Sequence, residues 1–186
     1  MNKITLVVAV FLLCTTFSYA QLYISPGTSV NISGNALLYS GTDLINKGTL
    51  NSGSGTVICN SHLLDSGSIN GSSSEIIFTG AGDKQAVFSN SSLSKVIINK
   101  TSGSVNFVSN IPAIADSLRL IKGNAVISDK TLIAKITSGG SGDSYVKTTG
   151  TGFLKMPVAS SVSKLFRSEE HTSELQSRVD ISYAVF

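Results

Sequence analysis

Residues 44–59 read Leu44-Ile-Asn-Lys-Gly-Thr-Leu-Asn-Ser-Gly-Ser-Gly-Thr-Val-Ile-Cys59, and residues 63–78 read Leu63-Leu-Asp-Ser-Gly-Ser-Ile-Asn-Gly-Ser-Ser-Ser-Glu-Ile-Ile-Phe78. The second stretch repeats the first at an offset of 19: Leu44 meets Leu63, Gly48 meets Gly67, Leu50 meets Ile69, Asn51 meets Asn70, and Val57-Ile58-Cys59 meets Ile76-Ile77-Phe78. An earlier copy fits at an offset of 20, with Ser29-Val30-Asn31 over Thr49-Leu50-Asn51 and Leu37-Leu38-Tyr39 over Val57-Ile58-Cys59. Each unit holds two very short strands joined by Gly, Ser and Asn turns, and such a unit cannot bury its apolar face alone. Stacking like strands on like strands solves this. The spacing therefore predicts an all-β chain, a β-solenoid of the parallel β-helix kind with rungs of 19–20 residues. Tyr39, Cys59 and Phe78 are expected to form one inward column, Asn51 and Asn70 an amide ladder, and the glycines the corners, where positive φ is often required.

Outward from that core the repeat loosens, but strand character persists at Val96–Asn99, Ser104–Phe107, Ser117–Ile121, Ala125–Ile127 and Leu132–Ile136. These segments are either further rungs or a β-sandwich-like annex. Residues 138–143, Ser-Gly-Gly-Ser-Gly-Asp, read as a connector or a long loop. Ser144–Lys147 and Gly152–Met156 beyond it look like a hairpin. The expected organisation is a signal peptide at 1–20, a β-repeat domain at 21–137, the connector at 138–143 and the start of a further β segment at 144–166. The alternative architecture is an antiparallel β-sandwich, which also has short, evenly spaced strands. The regular repeat favours the solenoid.

The composition agrees with this. Of 186 residues 13% are charged and 7% aromatic, with 17 Gly, 2 Cys and no Trp. Ser, Thr, Asn and Gly compete with helical backbone bonds, so a helical fold is disfavoured. A net charge of +3 is too small for a nucleic-acid binder that works by neutralising phosphates.

Met1-Asn-Lys3 followed by the apolar run Ile4–Cys14 and the small-residue ending Ser18-Tyr19-Ala20 has the three parts of a secretory signal peptide. The run is shorter than the roughly 20 apolar residues of a membrane span. The mature chain is therefore expected to start at Gln21, to be secreted or held at the cell surface, and to have no membrane span. It would hold one cysteine, Cys59, which excludes an intramolecular disulfide. A buried apolar thiol is the ordinary state of such a residue.

The C-terminal end differs from the rest. Arg167-Ser-Glu-Glu-His-Thr-Ser-Glu-Leu-Gln-Ser177 brings three Glu, whereas Glu75 is the one Glu before it. Residues 167–177 and 181–186 resemble the translation of a common sequencing-library adapter, with Arg178-Val-Asp180 in the place of its variable index. Residues 167–186 are accordingly read as an artefact, and His171, Glu169, Glu170 and Glu174 as no site. The natural chain is expected to continue past Phe166. Over 21–166 eleven Lys and Arg face seven Asp and Glu, a net of +4 with no basic run.

The rung Asp43-Leu-Ile-Asn-Lys-Gly-Thr-Leu-Asn51, the run Val96–Phe107, the segment Asp116–Asn124 and the connector Ser144–Phe153 resemble the N-terminal parts of large secreted, adhesin-like surface proteins of Bacteroidota. The resemblance covers most of 21–166. It implies type IX secretion cargo, whose sorting domain is not visible in this chain; Lys164-Leu-Phe166 looks like the edge of a further motif. It implies no catalytic residue.

Catalysis needs titratable groups that converge. Residues 21–166 contain one His (His62), one Glu and six Asp, and no Gly-x-Ser-x-Gly elbow. A zinc site would need more His or Cys. Asp43, Asp65, Asp83, Asp116, Asp129 and Asp143 lack the Asp-x-Asp spacing of calcium solenoids. His62 reads as a solvated turn residue. Tyr23, Tyr39 and Tyr145 are candidates for stacking on sugars, and Asp116-Ser117-Leu118 fits a short bacterial O-glycosylation pattern. The expectation is a non-enzymatic structural or adhesin-like module with no catalytic, cofactor or metal site, whose partners are glycans or cell-surface and matrix components. The alternative is a truncated part of a carbohydrate-active or carbohydrate-binding β-helix protein, and a broken gene is compatible with either. Open end rungs are expected to make 21–166 poorly soluble.

Overall fold

A computed structural model describes residues 21–71, 73–109, 113–138 and 142–156. The expected signal peptide, residues 139–141 of the connector, Lys164–Phe166 and the adapter-like tail lie outside the described residues. Among the described residues all regular structure is strand, and every strand pair is parallel. The chain winds into a β-solenoid of about six turns.

The first rung is β1 (Leu22–Ile24), β2 (Ser29–Asn31) and β3 (Leu37–Ser40). The second is β4 (Leu44–Asn46), β5 (Thr49–Asn51) and β6 (Thr56–Cys59), and the third is β7 (Leu63–Asp65), β8 (Ser68–Asn70) and β9 (Glu75–Phe78). After β10 (Lys84–Val87), two long strands run round a corner, β11 (Leu93–Phe107) and β12 (Ile114–Val126). They are followed by β13 (Thr131–Ser138), β14 (Val146–Lys147) and β15 (Phe153–Lys155). Three walls result. The first stacks β1, β4, β7, β10, the ends of β11 and β12, and β14. The second stacks β2, β5 and β8, continues through Ser92, Leu93 and Ile114, and ends in β13 and β15. The third stacks β3, β6, β9 and the first halves of β11 and β12.

The 19-residue repeat is the pairing register itself: Leu44 pairs with Leu63, Leu50 with Ile69, and Cys59 with Phe78. β2 sits 20 residues before β5, as expected. β3 does not follow the expected offset of 20; Tyr39 pairs with Ile58, and Ser40 with Cys59. The loop 32–36 holds one residue more than its equivalent 52–55, and Gly34 turns it at φ 60°. That extra residue returns β3 to an offset of 19. Side chains alternate faces along a strand, so a shift of one residue reverses them all. The inward column is therefore Ser40, Cys59, Phe78, Ile98 and Leu120, and Tyr39 points outward.

Residues 93–136 are further rungs of the coil. Ser144–Lys147 and Gly152–Met156 do not form the expected hairpin, because β14 pairs with β12 and β15 with β13. Each finds an in-register parallel edge already laid down by the preceding turn. The core is a set of inward columns, among them Leu44–Leu63–Ala86–Phe107 and Val57–Ile76–Val96–Leu118. The large members are fully or almost fully buried, and burying each stabilises by about 1.5–3 kcal/mol. The Phe88 and Phe107 rings stack with centroids 6.2 Å apart.

The corner between the first and second walls is built from the pattern Asx-x-Gly. Asn46 Oδ1 accepts the Gly48 N–H at 3.2 Å, and Asp65 Oδ1 accepts the Gly67 N–H at 3.1 Å. These Asx turns tighten the chain until successive corners touch.

Candidate functional site

The polar groups capable of chemistry lie at the corners, and most of them bond to the next rung. Asp43 Oδ1 accepts the His62 backbone N–H at 3.1 Å. The His62 ring accepts the Gln85 N–H on Nδ1 at 3.0 Å, so the proton of the neutral ring sits on Nε2. Asp83 Oδ1 accepts the Ser104 N–H at 2.9 Å, Asn124 Oδ1 accepts the Tyr145 N–H at 3.1 Å, and Asp129 Oδ1 accepts the Thr151 N–H at 3.0 Å. In each case a side chain on one rung receives a backbone donor from the following rung. The clips hold the coil together where the walls break and strand pairing is absent.

Asp43, Ser61 and His62 do come together, a grouping that a linear reading of His62 as a solvated turn residue did not anticipate. They do not form a proton relay. The Asp43 carboxylate is aimed at the backbone of His62, and the ring nitrogen facing the coil is already bonded to Gln85. A base needs that lone pair free and oriented by a second group on its other nitrogen.

The clips make stability depend on acid pH. A hydrogen bond from Ser61 holds the Asp43 carboxyl below the usual range; burial opposes it less strongly, and the His62 N–H adds a smaller lowering. The Ser104 hydroxyl and then the Ser104 N–H do the same for Asp83. Both folded values lie below the unfolded value of 3.8. Their contribution is therefore fully present above the unfolded value and is lost as pH falls through the folded ones. The melting temperature of the wild type is expected to fall between about pH 5 and pH 2. The fall should be shallower in Asp43→Asn and Asp83→Asn, read by circular dichroism; parallel curves for all three proteins would refute this account.

Asp65 is the one fully buried carboxylate among the described residues. It accepts hydrogen bonds from Asn46 Nδ2 (2.7 Å), the Gly67 N–H, the Ser89 N–H (3.4 Å) and the Ser91 hydroxyl. Asn46 Nδ2 also donates to the Ser68 carbonyl at 2.9 Å. Sequence reading did not single out Asp65. The available signal was its alignment with Asn46 at an inward position, in the same Asx-x-Gly frame.

Lys100 is buried at the corner between the third and first walls. Its Nζ donates to the Thr79 carbonyl at 3.2 Å, and Gly123 packs over its stem. Burial lowers its pKa, nearby Lys84 lowers it further, and Asp83 partly opposes them. Cys59 lies in the inward column, and burial pushes its thiol up to about 12. A thiol held protonated is a poor nucleophile. Ellman's reagent is expected to leave Cys59 unmodified in a folded protein of residues 21–166 and to titrate one thiol after denaturation; modification before unfolding would contradict the column.

The tyrosines do not share a platform. Tyr23 and Tyr145 sit at opposite ends of the first wall, and Tyr39 is on the third. The Lys47 ammonium lies 5.8 Å from the centre of the Tyr23 ring. Ser117 of the glycosylation pattern is buried on β12, with 9% exposure, which closes it to an enzyme acting on the folded chain. Asp116 beside it pairs with Lys95 at 3.6 Å.

One surface is regular enough to contact an extended partner. On the outward face of β2, β5 and β8, Ser29, Thr49 and Ser68 form one column, and Asn31, Asn51 and Asn70 another. The Asn amides bond from rung to rung, Asn51 Nδ2 to Asn31 Oδ1 at 2.7 Å and Asn70 Nδ2 to Asn51 Oδ1 at 3.2 Å. Among the described residues no three His, Cys, Asp or Glu side chains are grouped so as to hold a metal ion. Comparison with family models, with curated proteins and with solved structures gives no match.

Proposed function

We propose that this chain is the N-terminal part of an exported, non-enzymatic, adhesin-like protein of a Bacteroidota cell surface or its surroundings, in which the coil serves as a rigid spacer and contact surface. The observation that carries the reading is the use of the corner acids and His62 as clips between rungs, each giving at least one acceptor atom to the backbone of the next rung rather than converging on a common point. The leader-like residues 1–20 supply the export half of the proposal. Expression of the whole chain in a Bacteroidota host tests it. The expected product lies outside the cytoplasm and begins at Gln21 by mass spectrometry, and a cytoplasmic product beginning at Met1 would sink the export reading.

The hydroxyl and amide columns on β2, β5 and β8 favour glycans as the contacted class, because sugars are bound through dense arrays of hydroxyl and amide partners. On a glycan array the mature chain is expected to bind, and Asn51→Leu, which interrupts the amide column at its centre, to bind at least about tenfold more weakly, the effect of about 1.4 kcal/mol. Equal binding by the two proteins would remove this face from the proposal.

A further inference from the structure

The N-terminal rung is guarded by the shortness of its strands but lacks the charge and in-strand proline that also protect an exposed sheet edge. Residues 21–42 contain no Asp, Glu, Lys, Arg or His, although edge strands are ordinarily guarded by charge, by proline within the strand or by a bulge. Pro26 lies in a corner, outside β1, β2 and β3. Among the described residues the core is less covered on this side. Leu22, Val30 and Leu38 are only half-buried, whereas their partners one rung on, Leu44, Leu50 and Val57, are fully buried.

Among the described residues the backbone is open as well. Leu22 donates to Asp43, Ile32 donates to Asn51, and the Ala36 and Ser40 carbonyls accept from Thr56 and Asn60. In a parallel ladder alternate residues serve the same neighbour. The groups of Tyr23, Ser29, Asn31, Leu37 and Tyr39 therefore face away from the coil. Tyr23, Leu37 and Tyr39 are also exposed by 49%, 59% and 57%. Tyr23 and Tyr39 head outward columns that continue into Ile45 and Leu64, and into Ile58 and Ile77.

We propose that in the processed chain this edge is covered by the same edge of a second copy, giving a closed two-fold dimer joined through β1, β2 and β3. The inference rests on the export reading above. Cleavage after Ala20 would leave Gln21 alone ahead of β1, with no leader over the first rung, and would add the α-amino group as the one charge there. The opposite end is different. β14 and β15 carry Lys147 and Lys155 on the last described rung, so head-to-tail addition meets charge. A two-fold axis across the coil reverses the strand direction, so the two uncharged edges pair antiparallel and the assembly closes.

The test is the mass in solution of the exported, processed chain, with its start defined by intact-mass spectrometry. A dimer is expected. The triple variant Tyr23→Lys, Leu37→Lys, Tyr39→Lys places like charges across the two-fold at positions already exposed. It should halve the mass while keeping the β-type circular dichroism spectrum, and Phe153→Lys at the other end should leave the dimer intact. A monomer that begins at Gln21 overturns the proposal and leaves the export reading standing. A monomer that begins at Met1 overturns both. Open-ended growth of mass with concentration, or loss of the dimer in Phe153→Lys but not in the triple variant, points to head-to-tail stacking and also overturns it.

Discussion

Gly67→Val is expected to lower the unfolding free energy of the coil by about 3 kcal/mol or more, at the upper end of what overpacking costs. The reason is the distance between successive corners. A Cβ on Gly67 would press on the Gly48 carbonyl oxygen and come within 2.8 Å of the Lys47 carbonyl carbon and 2.9 Å of the Gly48 nitrogen. All three atoms are backbone, held in place by the Asx turn of Asn46, and cannot swing aside as a side-chain tip would. In a stacked coil each rung is stabilised by its neighbours, so separating the second rung from the third weakens both halves. Gly142 is the control. A Cβ there meets nothing within 4 Å, and Gly142→Ala is expected to change stability by no more than about 0.5 kcal/mol. Urea unfolding followed by circular dichroism measures both. Equal midpoints for the two variants would show that the corner yields and that the packing argument is wrong.

The second large effect is expected at Asp65. Asp65→Ala removes a buried acceptor from Asn46, Gly67, Ser89 and Ser91 together, and the space left is closed to water by the surrounding rungs. Hydrogen bonds to a charged group contribute about 1.5–3 kcal/mol each, and an orphaned buried donor costs about 1–3 kcal/mol. Relaxation and the non-additivity of neighbouring bonds bring the expected loss to about 3–4 kcal/mol. Asp65→Asn keeps the shape and one acceptor oxygen but turns two N–H groups toward existing donors. The Ser91 hydroxyl can reverse and accept, whereas the Ser89 N–H cannot. The expected loss is about 1–2 kcal/mol. Ser91→Ala removes one donor and should cost less than Asp65→Ala. If Asp65→Ala unfolds at the same urea concentration as Ser91→Ala, the carboxylate is not the hub of this corner.

The fold was legible because a solenoid writes its register into the chain. Leu44 over Leu63 and Asn51 over Asn70 could be paired from residue identity alone, and the amide ladder at Asn51 and Asn70 follows from that pairing. Where the repeat had an insertion, identity misled. Tyr39 looked like the partner of Cys59 because the count from β2 was carried through loop 32–36, and the extra residue there moved Ser40 into the column instead. The same limit hid the end of the chain. Val146 and Phe153 resemble two arms of a hairpin because they are neighbours in sequence, yet their partners are Ala125 and Thr131, a full turn earlier.

The candidate chemistry was less legible. From the sequence, Asp43, Asp83 and Asp129 are isolated acids and His62 is a lone turn residue. Their partners lie one rung away, 19 to 22 residues along the chain, or 23 for the His62 ring, and are mostly backbone N–H groups, which carry no sequence signal. Asp65 shows the division most clearly. Its identity and its Asx-x-Gly frame are local, and they determine the turn. Its burial and its bonds to Ser89 and Ser91 exist only once the next rung has closed over it.

Fold class, rung spacing and the glycine corners thus follow from local sequence, because side-chain alternation and turn geometry act over a few residues and recur with the repeat. The tertiary structure alone decided which residues face inward after an insertion, which edges pair at the far end, and that the corner acids bond to the next rung. Those outcomes depend on contacts a whole turn apart, whose backbone partners are the same for every amino acid.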